Sequence, residues 1–230
     1  TPQNATSFTD ATSSLDLIVG VDVSGSMADA MPQLKAAVSE FLGAVPEKHR
    51  VTLLAFNDRI FTLLQQATDP EQRAAAVNGL AAGGETALYD VIATSVDRLG
   101  RRQGRKAIVV FSDGEDRGSH ITLDMVERRL EESHATLYMI GQGRGTKMVE
   151  LKRVMERLAD PTGGRAIFAD KVEDLKPIFK GLVEELSNQY LLAYPPTNEK
   201  QDGTWRRIKV RVDGPYKIRA RQGYRARGGN

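Results

Sequence analysis

Leu15-Asp16-Leu17-Ile18-Val19-Gly20-Val21-Asp22-Val23-Ser24-Gly25-Ser26-Met27 is the stretch on which the reading of the fold turns. Its first half, Leu15, Leu17, Ile18, Val19 and Val21, is a short, nearly continuous apolar run, as expected of a strand covered on both faces in a parallel sheet. Its second half places an acid and two hydroxyls immediately after that strand. Similar apolar runs recur at residues 51–56, 107–111 and 136–140, with a shorter fifth at 165–168. Helical periods lie between them. Leu34, Val38, Phe41, Leu42 and Val45 share one helix face, and Leu88, Val91, Ile92, Ser95, Val96 and Leu99 share another. Further helices are expected over residues 123–130, 148–158 and 175–186, the first with Thr122 and the last with Asp174 as cap. Strands alternating with helices imply right-handed crossovers and a parallel sheet between helical layers.

The expected fold is therefore α/β, a Rossmann-like three-layer sandwich with a mainly parallel central sheet. One antiparallel edge strand is expected where residues 51–56 and 59–64 flank the turn Asn57-Asp58. A C-terminal β-hairpin extension follows. Ile208, Val210 and Val212 alternate with Lys209 and Arg211, and Tyr216, Ile218 and Ala220 alternate with Lys217, Arg219 and Arg221, around Asp213-Gly214-Pro215. Such a hairpin has one face to bury and one cationic face, with Trp205 as an anchor against the sheet. The domain reading is a polar leader at 1–14, one domain at 15–190, and an extension at 191–230 packed on that domain.

The 230 residues carry a formal charge of only +2, with 40% hydrophobic residues, which excludes a polyelectrolyte and allows a sizeable core. That small total hides an asymmetry. Residues 201–230 hold nine Lys or Arg against two Asp, a net +7, leaving 23 cations against 28 acids, or −5, before them. The absence of cysteine excludes disulfides, thiolate metal sites and cysteine nucleophiles. No stretch approaches the roughly 18 apolar residues of a membrane helix. A chain opening on Thr1 reads as a processed piece of a longer one.

In an open parallel sheet, chemistry gathers in loops at the carboxyl ends of strands. Three such segments stand out. In Asp22-Val23-Ser24-Gly25-Ser26 an acid and two hydroxyls alternate, so an extended loop can turn all three to one point. Ser112-Asp113-Gly114-Glu115-Asp116 follows another buried strand, and Asp113 faces Asp22 if those strands are neighbours. Gly83-Gly84-Glu85-Thr86 precedes a helix, with Thr86 available as a cap or a metal donor. Hydroxyl and carboxylate oxygens are hard ligands suited to Mg²⁺, with Mn²⁺ or Ca²⁺ as alternatives, rather than zinc.

Together these segments resemble the von Willebrand factor type A domain with its metal-ion-dependent adhesion site. The family pattern, Asp-x-Ser-x-Ser, then Thr, then Asp, is met at Asp22, Ser24, Ser26, Thr86 and Asp113. The tail is similar to that of a group of exported bacterial proteins, many of them acidobacterial, which implies an extracytoplasmic location. The resemblance implies a non-enzymatic, cation-dependent adhesion module in which Ser24 and Ser26 bind the ion directly, Thr86 directly or through water, and Asp22 and Asp113 largely through water. One position stays open for an Asp or Glu of a protein partner, and two carboxylates leave the ion electrophilic. The rim around it is read as Gly25, Met27, Glu85, Glu115 and Asp116, with Gly25 and Gly83-Gly84 as hinges for loops that shift on ligation.

Two other readings stand beside this one. A metal-dependent hydrolase or phosphoryl-transfer enzyme on the same ion needs a general base, for which His120 and Glu115 are the candidates. Alternatively the tail binds an anionic polymer through Arg207, Lys209, Arg211, Lys217 and Arg219. His49 and His134 read as surface residues. The phosphate-binding G-x-x-x-x-G-K-[ST] pattern is absent, Gly141-Gln142-Gly143-Arg144-Gly145 has turn spacing, and a nucleophile elbow needs Gly where Asp22 stands.

Overall fold

The computed structural model describes residues 2–9, 13–100, 104–142 and 146–226. A six-stranded sheet forms its centre. In chain order its strands are β2 (Leu15–Asp22), β3 (Arg50–Phe56), β4 (Ile60–Ala67), β5 (Arg105–Ser112), β6 (Thr136–Gln142) and β7 (Arg165–Ala169), and their spatial order is β4-β3-β2-β5-β6-β7. Only β4 runs antiparallel, paired to β3 at the edge. The other strands are parallel, and the neighbours β2 and β5 align Val21 with Phe111. β2 and β5 are buried at every residue, which is why their sequences are apolar without alternation.

Helices cover both faces. α1 (Met31–Ala44) and α6 (Leu175–Ser187) pack on the side that receives Leu17, Val19 and Val21. α3 (Leu88–Leu99), α4 (Leu123–Glu132) and α5 (Thr146–Ala159) pack on the side that receives Ile18, Ile108 and Val110. The alternation expected along the chain is thus present. Thr122 caps α4, accepting from the Met125 N–H. Asp174 makes no such bond to α6; its side chain accepts from the Lys171 N–H instead. The five-residue segment Gly141–Gly145 has its last three residues outside the described ones. No described helix is long and apolar enough to cross a membrane.

One helix has no apolar signal in the sequence. α2 (Pro70–Ala76) starts at Asp69, whose carboxylate accepts from the Glu71 and Gln72 N–H groups. It carries Arg73, fully buried, which donates to the carbonyls of Ala67, Val45 and His49. His49 is buried as well, which corrects its reading as a surface residue; its Nδ1 accepts from the Leu15 N–H at 3.1 Å. Burial, with the charges of Arg105, Lys48 and Arg73 adding to it, lowers its pKa to about 4. His134 is exposed.

Two short ribbons lie outside the main sheet. Within the polar leader, β1 (Ser7–Thr9) pairs antiparallel with β8 (Leu191–Ala193). The C-terminal hairpin is present, but its ladder sits at its base, between β9 (Trp205–Arg207) and β10 (Gly223–Arg225), and continues by one bond from the Ile208 N–H to the Gln222 carbonyl. Between them, residues 209–221 form no strand. The expected burial of one face fails there: Val212, Tyr216 and Ile218 are 51%, 68% and 41% exposed. Trp205 lies over Gly223 across its own ladder and is itself 37% exposed, so it braces the hairpin more than it anchors it on the sheet. Arginines do the anchoring. Arg221 donates to the Leu130 and Glu131 carbonyls at the end of α4, Arg225 pairs with Glu131, and the Gln222 N–H donates to Pro161.

Candidate metal centre

β2 and β5 lie side by side, yet the chain leaves them in opposite directions, β2 leading to β3 and β5 to β6. Their carboxyl ends therefore flank the crevice that a doubly wound sheet opens at its switch point. The loops after both strands enter it. A cleft of about 280 Å³ lies there, lined by Ser24, Gly25, Ser26, Gly84, Glu85, Thr86, Asp113, Gly114, Glu115, Arg117 and Leu151.

Asp22 forms the floor, fully buried. One of its carboxylate oxygens accepts from the Ser24 N–H at 2.8 Å and the other from the Ser112 hydroxyl at 2.6 Å. Ser112 in turn accepts from the Gly114 N–H, tying the two loops together. Ser26 Oγ lies 3.1 Å from Ser24 Oγ and donates to Asp113 Oδ1 at 2.8 Å. Residues 87 positions apart are thus joined oxygen to oxygen. Burial raises the Asp22 carboxyl pKa, against the hydrogen bonds from Ser112 and Ser24 and with the nearby Asp113 charge adding to it. Burial also raises Asp113, and the Ser26 hydroxyl opposes the shift.

The third loop is clasped from below. Asn57, at the turn between β3 and β4, donates its side-chain amide to the Gly83 carbonyl at 2.6 Å and accepts from the Ala87 N–H through its own carbonyl. The Gly25 N–H donates to the Gly84 carbonyl, and the Gly83 N–H to that of Val23. Gly84 has φ +81, and a Cβ there would lie 2.3 Å from Asp58 Oδ1, so glycine is required. Of the two roles open to Thr86, helix cap or metal donor, it does not take the first. α3 begins a residue later, capped by Ala87 without a side-chain bond, and the Thr86 hydroxyl lines the cleft. Its carbonyl accepts from the Arg117 and Gly118 N–H groups, which sets Arg117 beside it.

All five oxygen-bearing residues picked out in the sequence meet at this cleft, Asp22 from beneath and the other four on its wall. The rim differs from expectation at two positions. Met27 is fully buried in the core, because the 3-10 turn Gly25–Met27 points it inward. Asp116 braces the start of α3, accepting from the Tyr89 N–H at 3.1 Å and from Ser119. Gly25, Glu85 and Glu115 do line the cleft. His120 does not: it is exposed and hydrogen-bonds Asp90 through Nδ1 at 2.9 Å. Ser112, Asn57 and Arg117 are contributions that the sequence does not announce, since each acts through a loop distant along the chain.

Among the described residues no three of His, Asp and Glu gather as a metal cluster. The donors that do gather are two carboxylates and three hydroxyls. Octahedral Mg²⁺ with ligands at about 2.0–2.1 Å needs neighbouring oxygens roughly 2.9 Å apart. The Ser24 and Ser26 hydroxyl oxygens are near that spacing, at 3.1 Å, and Asp113 Oδ1 lies beside them, hydrogen-bonded to Ser26 at 2.8 Å.

Residues 17–115 match the family model of the von Willebrand factor type A domain. Solved structures align over most of the chain. A von Willebrand factor type A protein from Catenulispora acidiphila has a TM-score of 0.67 at 15% identity, covering 93% of this chain and 56% of its own. The fold is that of a von Willebrand factor type A domain. Proximal thread matrix protein 1 from the mussel byssus, solved with a zinc-occupied metal-ion-dependent adhesion motif, aligns to this type A fold with a TM-score of 0.67 at 16% identity, over 83% of this chain and 50% of its own. The pilus adhesin SpaC from Lactobacillus rhamnosus GG aligns with a TM-score of 0.63 at 12% identity, over 76% of this chain and 31% of its own. The chain spans about half the length of the first two of these proteins. No curated protein sequence matches it.

Proposed function

We propose that the cleft between β2 and β5 holds one divalent cation, Mg²⁺ in the first instance, and through it an acidic side chain of a protein partner. The observation that carries this reading is the pair of hydroxyl oxygens at ligand spacing in the loop after β2, with the carboxylate of the loop after β5 hydrogen-bonded beside them. Ser24 and Ser26 would hold the ion directly, Thr86 directly or through water, and Asp22 and Asp113 largely through water. Bound there, the cation supplies a positive centre for an incoming carboxylate. The protein's own part is orientation. Ser112 fixes the Asp22 carboxylate, Ser26 fixes Asp113, and Asn57 holds the Thr86 loop against both. The zinc-occupied motif of the mussel protein on the same fold supports the reading. The pilus adhesin on that fold favours a site of action outside the cytoplasm.

Hydrolysis is the weaker reading, because of its two candidate bases His120 is engaged with Asp90 away from the cleft, which leaves Glu115. Calorimetric titration of Mg²⁺ into the wild type and into Ser24→Ala and Asp22→Ala decides the matter. Heat of binding in the wild type, lost in both variants, is the expected result; equal heats in all three proteins defeat it.

A further inference from the structure

The C-terminal hairpin presents an acid in a setting that suits this cleft. Of the two acids in residues 201–230, Asp202 is engaged by Thr204 and Arg206, whereas Asp213 stands exposed at the apex. The apex is braced. Gly214 has φ +117, and a Cβ there would fall 2.7 Å from the Tyr216 ring, so the ring folds over the turn while Pro215 fixes the backbone between them. Lys209, Arg211, Lys217 and Arg219 flank the acid, all exposed. Val212, Tyr216 and Ile218 expose apolar surface beside it.

The cleft is complementary to such a tip. Glu85, Asp113 and Glu115 line it against the one cation Arg117, so its wall is net acidic and a carboxylate ringed by Lys and Arg is drawn in more readily than a bare one. The tip belongs to a segment of net +7 and the cleft to a body of net −5. The two features lie at opposite poles. The cleft is at the carboxyl ends of β2 and β5, whereas the hairpin base is tied to Leu130, Glu131 and Pro161, which precede the amino ends of β6 and β7. Its own cleft is thus at the far end of the sheet.

We propose that the hairpin tip of one copy of this chain docks in the metal cleft of a second copy, with Asp213 completing the ion's coordination and the flanking cations pairing with Glu85 and Glu115. The contact is head to tail, so it builds rings or filaments rather than a closed two-fold pair. It rests on the cation-binding reading above and adds the identity of the partner. An anionic lipid surface or a nucleic acid fits less well, because the apex acid would face phosphate.

Complementation tests it. Sedimentation velocity of the wild type shows Mg²⁺-dependent self-association that chelator reverses. Asp213→Asn keeps the Mg²⁺ heat and stays monomeric, Asp113→Ala loses the heat and stays monomeric, and their equimolar mixture forms a one-to-one dimer and nothing larger. Ser24→Ala in place of Asp113→Ala gives the same pattern if the latter misfolds. Lys209→Glu with Arg211→Glu weakens association by about tenfold or more, most at low salt. Self-association of Asp213→Asn equal to the wild type, or a monomeric wild type that binds Mg²⁺, overturns the docking and leaves the metal site intact. Absence of Mg²⁺ heat in the wild type removes both. Chelator-insensitive binding to vesicles of equal phosphatidylglycerol and phosphatidylcholine, or to duplex DNA, by a chain that stays monomeric assigns the hairpin to an anionic surface and overturns the proposal.

Discussion

The main sheet and the C-terminal hairpin are both β-structure, yet they are held by opposite means. β2 and β5 bury every residue and need only apolar side chains of suitable shape. The hairpin has a ladder of three residue pairs and is fastened at its base by arginines donating to backbone carbonyls and to Glu131. A two-stranded ribbon without a covered face is at best marginal in water, so such fastening is required. Alternation of apolar and cationic residues predicts a buried face only where the fold supplies something to cover it. Among the described residues nothing covers Val212, Tyr216 and Ile218 in this way, and they stay exposed.

The same contrast orders what mutations should do. The largest loss is expected in the body at Arg73→Met, which strands three buried carbonyls and should cost about 3–5 kcal/mol in urea unfolding. A loss below about 1 kcal/mol would mean that the interior tolerates open carbonyls as the exposed ribbon does. Acid should act on the body next. His49 titrates near 4 when folded and near 6.5 when unfolded, so below pH 6.5 the unfolded chain takes up a proton first and stability falls until about pH 4. The contribution is of the order of 3 kcal/mol, and chemical denaturation of His49→Gln across that window should show it removed.

A cation should sharpen the comparison, since one bound in the cleft would tie loops of the body and touch no part of the hairpin of the same copy. At a Mg²⁺ concentration a hundred times Kd, the wild type should gain about 2.7 kcal/mol, read as a rise in Tm, and Ser24→Ala should gain none. Smallest of all should be Ile218→Ser, within about 0.5 kcal/mol for the monomer, because the side chain is already exposed. A larger loss would show that the tip packs against the body after all.

Ser112 and Asn57 show where reading along the chain stops. Apolar periodicity named five of the six main strands as buried or edge runs, and the turn at Asn57-Asp58 named the antiparallel one. It missed α2 because that helix is held by a cap at Asp69 and a buried arginine rather than by an apolar stripe. The candidate donors Asp22, Ser24, Ser26, Thr86 and Asp113 were legible because hydroxyls and acids placed directly after buried strands are conspicuous. The partners that aim them were not, since Ser112 meets Asp22 from 90 positions away and Asn57 meets Gly83 from 26.

Residue order alone thus settles periodicity, and with it the layers, the strand directions and the choice of oxygen-bearing loops, because those follow from which side chains water rejects. Adjacency is another matter. That β2 and β5 lie side by side, that Met27 turns inward while Arg117 lines the cleft, and that the hairpin leaves its apolar side bare are outcomes of packing the whole chain at once. Hydrophobic burial is local in what it demands of a segment and global in which neighbour meets the demand.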